Sequence, residues 1–404
     1  MKVAAIISEY NPFHNGHKYQ IDKLRHILGE DTAVIAIMSG NFTQRGEMAI
    51  TDKTVRARAA VECGVNLVLE LPFPYSMSSA EFFAKAGVWI AEAIGVVDYL
   101  VFGSESGDID EISNIASIML SPEYNLILDT LREHPDNREI GYPLLCEMAV
   151  KSLYGKELSR DFLSPNNILG LEYIKALSSF GSSITPVAIK REGAGYNDII
   201  NPMAEFQSAS AIRAEIYDKN ISALDFVPDK ARNVYLSAVE QGKMPSDLSR
   251  LDLAVISFFR LNSSVDRDIQ DATGGLYNRL CQMSAEATSI SGLTALAETK
   301  KYTSARIRRA IWNSYFGVTS SDVRTLPSYT QVLAMDTIGR SLLKLIKKVA
   351  KVSVITKPSS YKELGDEVIR QKELSNKADS VYSLTFKVAN SGRFSLTFTP
   401  FVKE

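Results

Sequence analysis

Four runs near the amino terminus, Val3 to Ser8, Ala33 to Ser39, Asn66 to Leu71 and Tyr99 to Gly103, are rich in Val, Ile and Leu and show no polar alternation. A strand written this way has to be buried on both faces. The intervening segments, His17 to Leu28, Asp52 to Cys63 and Ala80 to Ile94, suit helices. A βαβαβαβ order of this kind predicts a parallel sheet with right-handed crossovers, whose ligands bind beyond the carboxyl ends of the strands.

The polar and glycine-containing stretches gather at those ends: NPFHNGH, GNFTQRGE, ELPFPY and GSESGD. Beyond Ile109 the pattern is helical until Ile184 to Arg191, which reads as one more strand. The loop REGAGYND then leads to SASAIRAEI, a helix with Ser208 or Ser210 as cap. The expected organisation is a Rossmann-like parallel-sheet domain at 1–219, a helical basic region at 220–349 and a small α/β appendage at 350–404. In the appendage, YSLTFKV and RFSLTFT alternate and predict a hairpin around Asn390 and Gly392.

Three scattered cysteines form neither a disulfide framework nor a zinc pattern. No run approaches the roughly 20 apolar residues that span a bilayer, so a cytoplasmic protein with no membrane partner is expected. The net charge of −2 hides an uneven distribution: Lys300 to Lys351 holds eleven Lys or Arg against two acids. Such a patch can bind phosphates on a mildly acidic protein.

Two of the four histidines, His14 and His17, flank Gly16 directly after the first strand. Backbone N–H groups at a helix start favour an anion. Gly16 would leave room for a phosphate, and the imidazoles can stabilise charge built up during attack on an α-phosphorus. In SASAIR, Ser208, Ser210 and Arg213 supply hydroxyls and a guanidinium for further phosphates. These motifs resemble the signature of the HxGH nucleotidylyltransferases, a HUP-type fold shared with class I aminoacyl-tRNA synthetases.

The wider set, SEYNPFHNGH, MSGNFTQRGE, ELPFPY, FGSESGD, SPNNILGLEY, SASAIR and KKYTSARIRR in that order, closely resembles the bacterial tRNA(Met) cytidine acetate ligases. That resemblance implies a ligase that uses ATP, with Mg²⁺, to turn acetate into acetyl-adenylate. The acetyl group then passes to the wobble cytidine of elongator tRNA(Met), giving N4-acetylcytidine without CoA. Carried over, His14, His17 and Arg213 are catalytic. ATP is held by Ile7, Ser8, Glu9, Tyr10, Asn11, Pro12, Phe13, His14, Asn15, Gly16, His17, Lys18, Tyr19 and Gln20, with Gly103, Asn166, Arg191, Ser208 and Ser210. Glu192, beside Arg191, departs from the apolar residue of the family pattern.

Lys300, Lys301, Arg306, Arg308 and Arg309 are the expected tRNA contacts. In GNFTQRGE, Arg45 can hold acetate or RNA, or pair with Glu47; the sequence leaves both open. The alternative activity is adenylylation of a phosphorylated vitamin or similar small molecule.

Overall fold

The apolar runs form β1 (Val3–Ser8), β2 (Ala33–Ser39), β3 (Leu67–Leu71) and β4 (Tyr99–Ser104), joined by β5 (Thr185–Lys190). In this computed structural model the strands lie in the order β5-β4-β1-β2-β3, all parallel. The structure describes residues 1–137, 140–155, 158, 164–192, 206–262 and 268–404. Most of the REGAGYND loop therefore lies outside the described residues.

Alternate strand residues feed two cores, which is why the runs carry no polar positions. Ala5, Ile35, Ile37 and Leu69 face α3 (Ala80–Ala93), while Ala4, Ile6, Val34 and Ala36 pack with α1 (Asn15–Leu28) and α2 (Lys53–Glu62). Across the described residues no helix is long and apolar enough to cross a membrane.

The sheet does not end with the first 219 residues. The strand β6 (Tyr329–Met335), inside the stretch read as helical, is fully buried and pairs antiparallel with β3. Parallel to it lie β7 (Ser353–Ile355) and β8 (Phe401–Val402). Asp336 then caps the helix Thr337–Val349, and its second carboxylate oxygen accepts from Asn66 Nδ2 at 2.8 Å.

The expected hairpin is absent: Ser383–Thr385 is a 3₁₀ turn and Phe394–Thr397 a short helix. Tyr382 and Phe386 are aromatic residues four apart, and both enter the core of the helical region beside Trp312 and Ile311. Burial of these rings, together with the Tyr382 hydroxyl donating to the Ala49 carbonyl at 2.8 Å, overrides the alternating pattern.

One buried ion cluster joins the N- and C-terminal parts. Lys53 Nζ lies 2.6 Å from both Glu70 Oε1 and Asp379 Oδ2, the latter on the helix Asp366–Tyr382. Asn41 donates to the other Asp379 oxygen and accepts from the Lys53 N–H, each at 2.8 Å. Burial works against the Lys53 charge, but Asp379 and Glu70 outweigh it and hold its pKa above the ordinary value. Lys53→Met strands two buried carboxylates and is expected to cost about 3–5 kcal/mol. A lower denaturant midpoint with unchanged slope would report this; adding Glu70→Gln and Asp379→Asn should recover part of it.

Candidate functional site

The chain reverses its direction of growth at β1: β2 and β3 follow on one side, β4 and β5 on the other. Over the carboxyl ends of β1, β4 and β5 lies a cleft of two lobes that share Ile7, Ser8, His14, Asn166, Leu169, Tyr173 and Arg191. The first, with about 860 Å³ of space, adds Gly16, His17, Tyr19, Gln20, Gly103, Phe206 and Gln207. The second, with about 1400 Å³, adds Glu9, Thr43, Gln44, Arg45, Glu47, Ser208, Ser210, Arg213 and Arg308.

His14 and His17 lock each other at the start of α1. The Gly16 N–H donates to His14 Nδ1 and the His14 N–H to His17 Nδ1, both at 3.1 Å, and the rings lie 3.8 Å apart. Burial, with Arg191 and Arg213 nearby, pushes the His14 pKa down to about 3. Burial, His14 and Arg191 hold His17 well below its ordinary value. A neutral imidazole whose Nδ1 accepts has its proton on Nε2. Both rings therefore offer Nε2–H donors at a helix N-terminus, an arrangement suited to phosphate oxygens.

Gly16 lines the first lobe, and a Cβ there would meet His14 Cε1 at 2.9 Å, so the glycine also makes room for the imidazole that caps the helix. Gly103 likewise accommodates Arg191, whose Cγ would lie 3.3 Å from a Cβ.

Glu47 organises the second lobe. Its Oε2 accepts from Arg213 at 3.0 Å, and its Oε1 lies 3.5 Å from Arg308. Arg213 also donates to the Asn11 carbonyl at 2.8 Å, so it enters the lobe braced rather than extended. Ser208 caps the helix Ala209–Tyr217, accepting from the Ala211 N–H, and Ser210 Oγ is 3.1 Å away. Glu9 accepts from the Gln44 N–H at 3.0 Å; burial raises its pKa, with that hydrogen bond and Arg213 opposing.

Asn166 borders both lobes, but its Nδ2 is committed to Glu105 at 2.5 Å, which leaves its carbonyl oxygen for a ligand donor. Glu105 also accepts from Ser164 Oγ and the Asn167 N–H, fixing the start of the helix Pro165–Ser179.

Part of the expected ATP segment does not line either lobe. Tyr10, Asn11, Pro12 and Phe13 are buried, with Asn11 accepting from the Ile50 N–H and the Phe13 N–H donating to Tyr235. Lys18 pairs with Asp22. Asn15 is the first residue of α1.

The basic stretch is also divided. Arg309 is paired with Asp271 at 3.0 Å and nearly buried, and Arg306 donates to the Asp271 and Thr273 carbonyls. Lys301 lies 3.3 Å from the Gly274 carbonyl. Lys300 and Lys301 are exposed, whereas Arg308 faces the cleft.

Leu169 and Tyr173 were missed in the sequence, although their spacing from Asn166 of three and seven puts them on one helix face. Arg56 was missed altogether. It is buried and donates to the carbonyls of Glu9 at 2.6 Å and Ser39 at 3.1 Å, tying together the loops that leave β1 and β2.

Among the described residues no three His, Cys, Asp or Glu side chains converge to hold a metal. Cys63 is no candidate nucleophile, since burial pushes its thiol up to about 11. The arrangement suits alignment of an anionic ligand and stabilisation of charge, with the attacking group brought by a substrate.

Residues 1–395 match the HIGH Nucleotidyl Transferase family. The chain is 36% identical to the tRNA(Met) cytidine acetate ligase of Thermoanaerobacter sp. (strain X514), over 100% of both. It is 36% identical to that of Caldanaerobacter subterraneus subsp. tengcongensis over 96% of each. Among solved structures, apo Thermotoga maritima TmcAL matches with TM-score 0.92 and 31% identity, covering 100% of this chain and 99% of that one. The same protein bound with alpha-thio ATP matches with TM-score 0.90 and 32% identity over the same shares.

The histidine geometry sets an expected pH response. Above about pH 6.5 His14 is neutral in both the folded and unfolded chain. As the pH falls from there toward about 3, the unfolded chain takes up a proton that the native site refuses, and stability declines. Residue-assigned imidazole ¹⁵N spectra at pH 6 should show His14 and His17 as Nε2–H tautomers; imidazolium signals assigned to either of these two residues would contradict the locked pair.

Proposed function

The chain belongs to the HIGH nucleotidyl transferase family, as one of its tRNA(Met) cytidine acetate ligases, and we propose that it joins acetate to a tRNA cytidine at the expense of ATP. One observation carries this reading: the imidazoles of His14 and His17 line one lobe, and His14 also borders a second lobe lined with Arg45, Arg191, Arg213 and Arg308. Adenosine occupies the first lobe and the phosphates, with acetate, the second.

An acetate oxygen attacks the α-phosphorus. A P–O bond forms to the acetyl group as the bond to pyrophosphate breaks, giving acetyl-adenylate. The donors at His14 and His17 and the α1 N-terminus stabilise charge on the α-phosphate, while Arg191 and Arg213 favour the remaining charge. Mg²⁺ would be held by the ATP phosphates themselves, where its charge would offset that of the departing pyrophosphate. In the second step the exocyclic amine of the cytidine attacks the acyl carbon. The C–N bond forms, AMP leaves with the C–O electron pair, and the amine gives up one proton. CoA has no part in either step.

The acceptor is elongator tRNA(Met), and the exposed Lys300 and Lys301 follow its phosphates. Incubation with ATP, labelled acetate and bulk bacterial tRNA should place label in tRNA. Adenylylation of a phosphorylated vitamin with no labelled tRNA would favour the small-molecule alternative.

His14→Ala should slow acetate-dependent pyrophosphate exchange by about 100- to 1,000-fold. Charge reversal at Lys300 and Lys301 should spare exchange, raise the KM for tRNA and flatten its salt dependence. Equal loss of both steps in both variants would remove this division of labour.

A further inference from the structure

A third concavity, with about 1750 Å³ of space, adjoins the phosphate lobe and shares Glu47, Arg213 and Arg308 with it. Those three side chains form a partition one residue thick. On the far side the groove runs between the helix Ala209–Tyr217, the segment Met244–Arg250 and the helix Ser304–Phe316. Met48, Met244, Pro245 and Trp312 give it apolar walls, and Tyr217, 46% exposed, lines it with its ring while its hydroxyl is hydrogen-bonded to Ser246. Around the rim stand the exposed Lys219 and Lys387, with Arg250 paired to Asp247 at 3.7 Å.

Flat apolar surface, an exposed aromatic ring and cations at the edge are the elements that receive an unstacked base and its phosphates. The partition adds a chemical filter. Glu47 is a carboxylate held from both sides by guanidinium groups, and each of its oxygens keeps acceptor capacity. A carboxylate accepts from the exocyclic amine of cytosine, whereas uracil presents a carbonyl at the same position.

Building on the ligase reading above, we propose that this groove seats the acceptor nucleotide, an unstacked cytidine of the RNA, with its exocyclic amine led past Glu47 into the phosphate lobe. The occupant follows from two features together: direct continuity with the lobe where the acyl group forms, and a cationic rim that complements an RNA backbone. It also explains why the basic excess need not lie only on Lys300 to Lys351, since Lys219 and Lys387 fall outside that stretch yet meet at this rim.

The test separates the two half-reactions in the full-length protein, using Tyr217→Ala, Tyr217→Phe and the double variant Lys219→Glu/Lys387→Glu. Acetate-dependent ATP–pyrophosphate exchange, measured without tRNA, should stay within about twofold of wild type and report an intact fold. Transfer to elongator tRNA(Met) should fall about tenfold or more in kcat/KM for Tyr217→Ala, with Tyr217→Phe close to wild type because the ring persists. The double charge variant should raise the KM for tRNA and lower the salt slope of binding. Normal exchange together with wild-type transfer in both Tyr217→Ala and the charge variant would overturn the groove assignment alone. Wild-type protein that shows no acetate-dependent exchange would overturn the ligase reading and, with it, this inference.

Discussion

An ammonium group held between two carboxylates in the interior underlies the rest of the architecture. Lys53 meets Glu70 and Asp379 where α2, β3 and the C-terminal helix Asp366–Tyr382 come together. Three charges withdrawn from water are costly separately and tolerable only as a set. The sheet, the loop after β2 and the C-terminal helix therefore have to arrive at one place. Lys372 is buried beside the cluster; its burial and the repulsion of Lys53 bring its pKa down to about 8, so the ammonium form is held only weakly there.

The cleft inherits its precision from this frame. Asn41, bonded to Asp379, begins the loop that presents Gln44, Arg45 and Glu47. Arg56 gathers backbone carbonyls from the ends of β1 and β2 that lead into the cleft. With these supports the histidines can use half of their hydrogen-bonding capacity on each other's backbone and keep the other half for a substrate. Their burial lowers both pKa values and favours the neutral rings, a state suited to fixed hydrogen-bond donors.

What could be read from the sequence follows from the range of the interactions concerned. The strands β1 to β4 were legible because their runs are largely buried on both faces, a condition written locally in their own residues, while β5, at the sheet edge and only partly buried, was legible from its Val and Ile content. The His14–Gly16–His17 turn was legible because its chemistry spans four residues. By contrast, Glu47 meets Arg213 and Arg308, and Arg309 meets Asp271, across long separations in the chain, and no periodicity marks such pairs. The strand β6 was hidden for a related reason: it carries the buried polar residues Thr330 and Gln331, lies between helices, and is recognisable only through its pairing with β3. Tyr382 and Phe386 show the opposite error, where a local alternation suggested strands and tertiary burial decided otherwise.

At Gly46 the loop carrying Glu47 touches the helix Ser304–Phe316 so closely that a Cβ would lie 2.6 Å from the Arg309 nitrogen and 2.7 Å from Arg308 Cβ. A side chain at this position would have to push the two elements apart. The loop that lines the cleft is packed backbone against backbone on the helix that borders the adjoining groove, so a shift of that helix toward the cleft would press on the loop that carries the carboxylate between the two arginines.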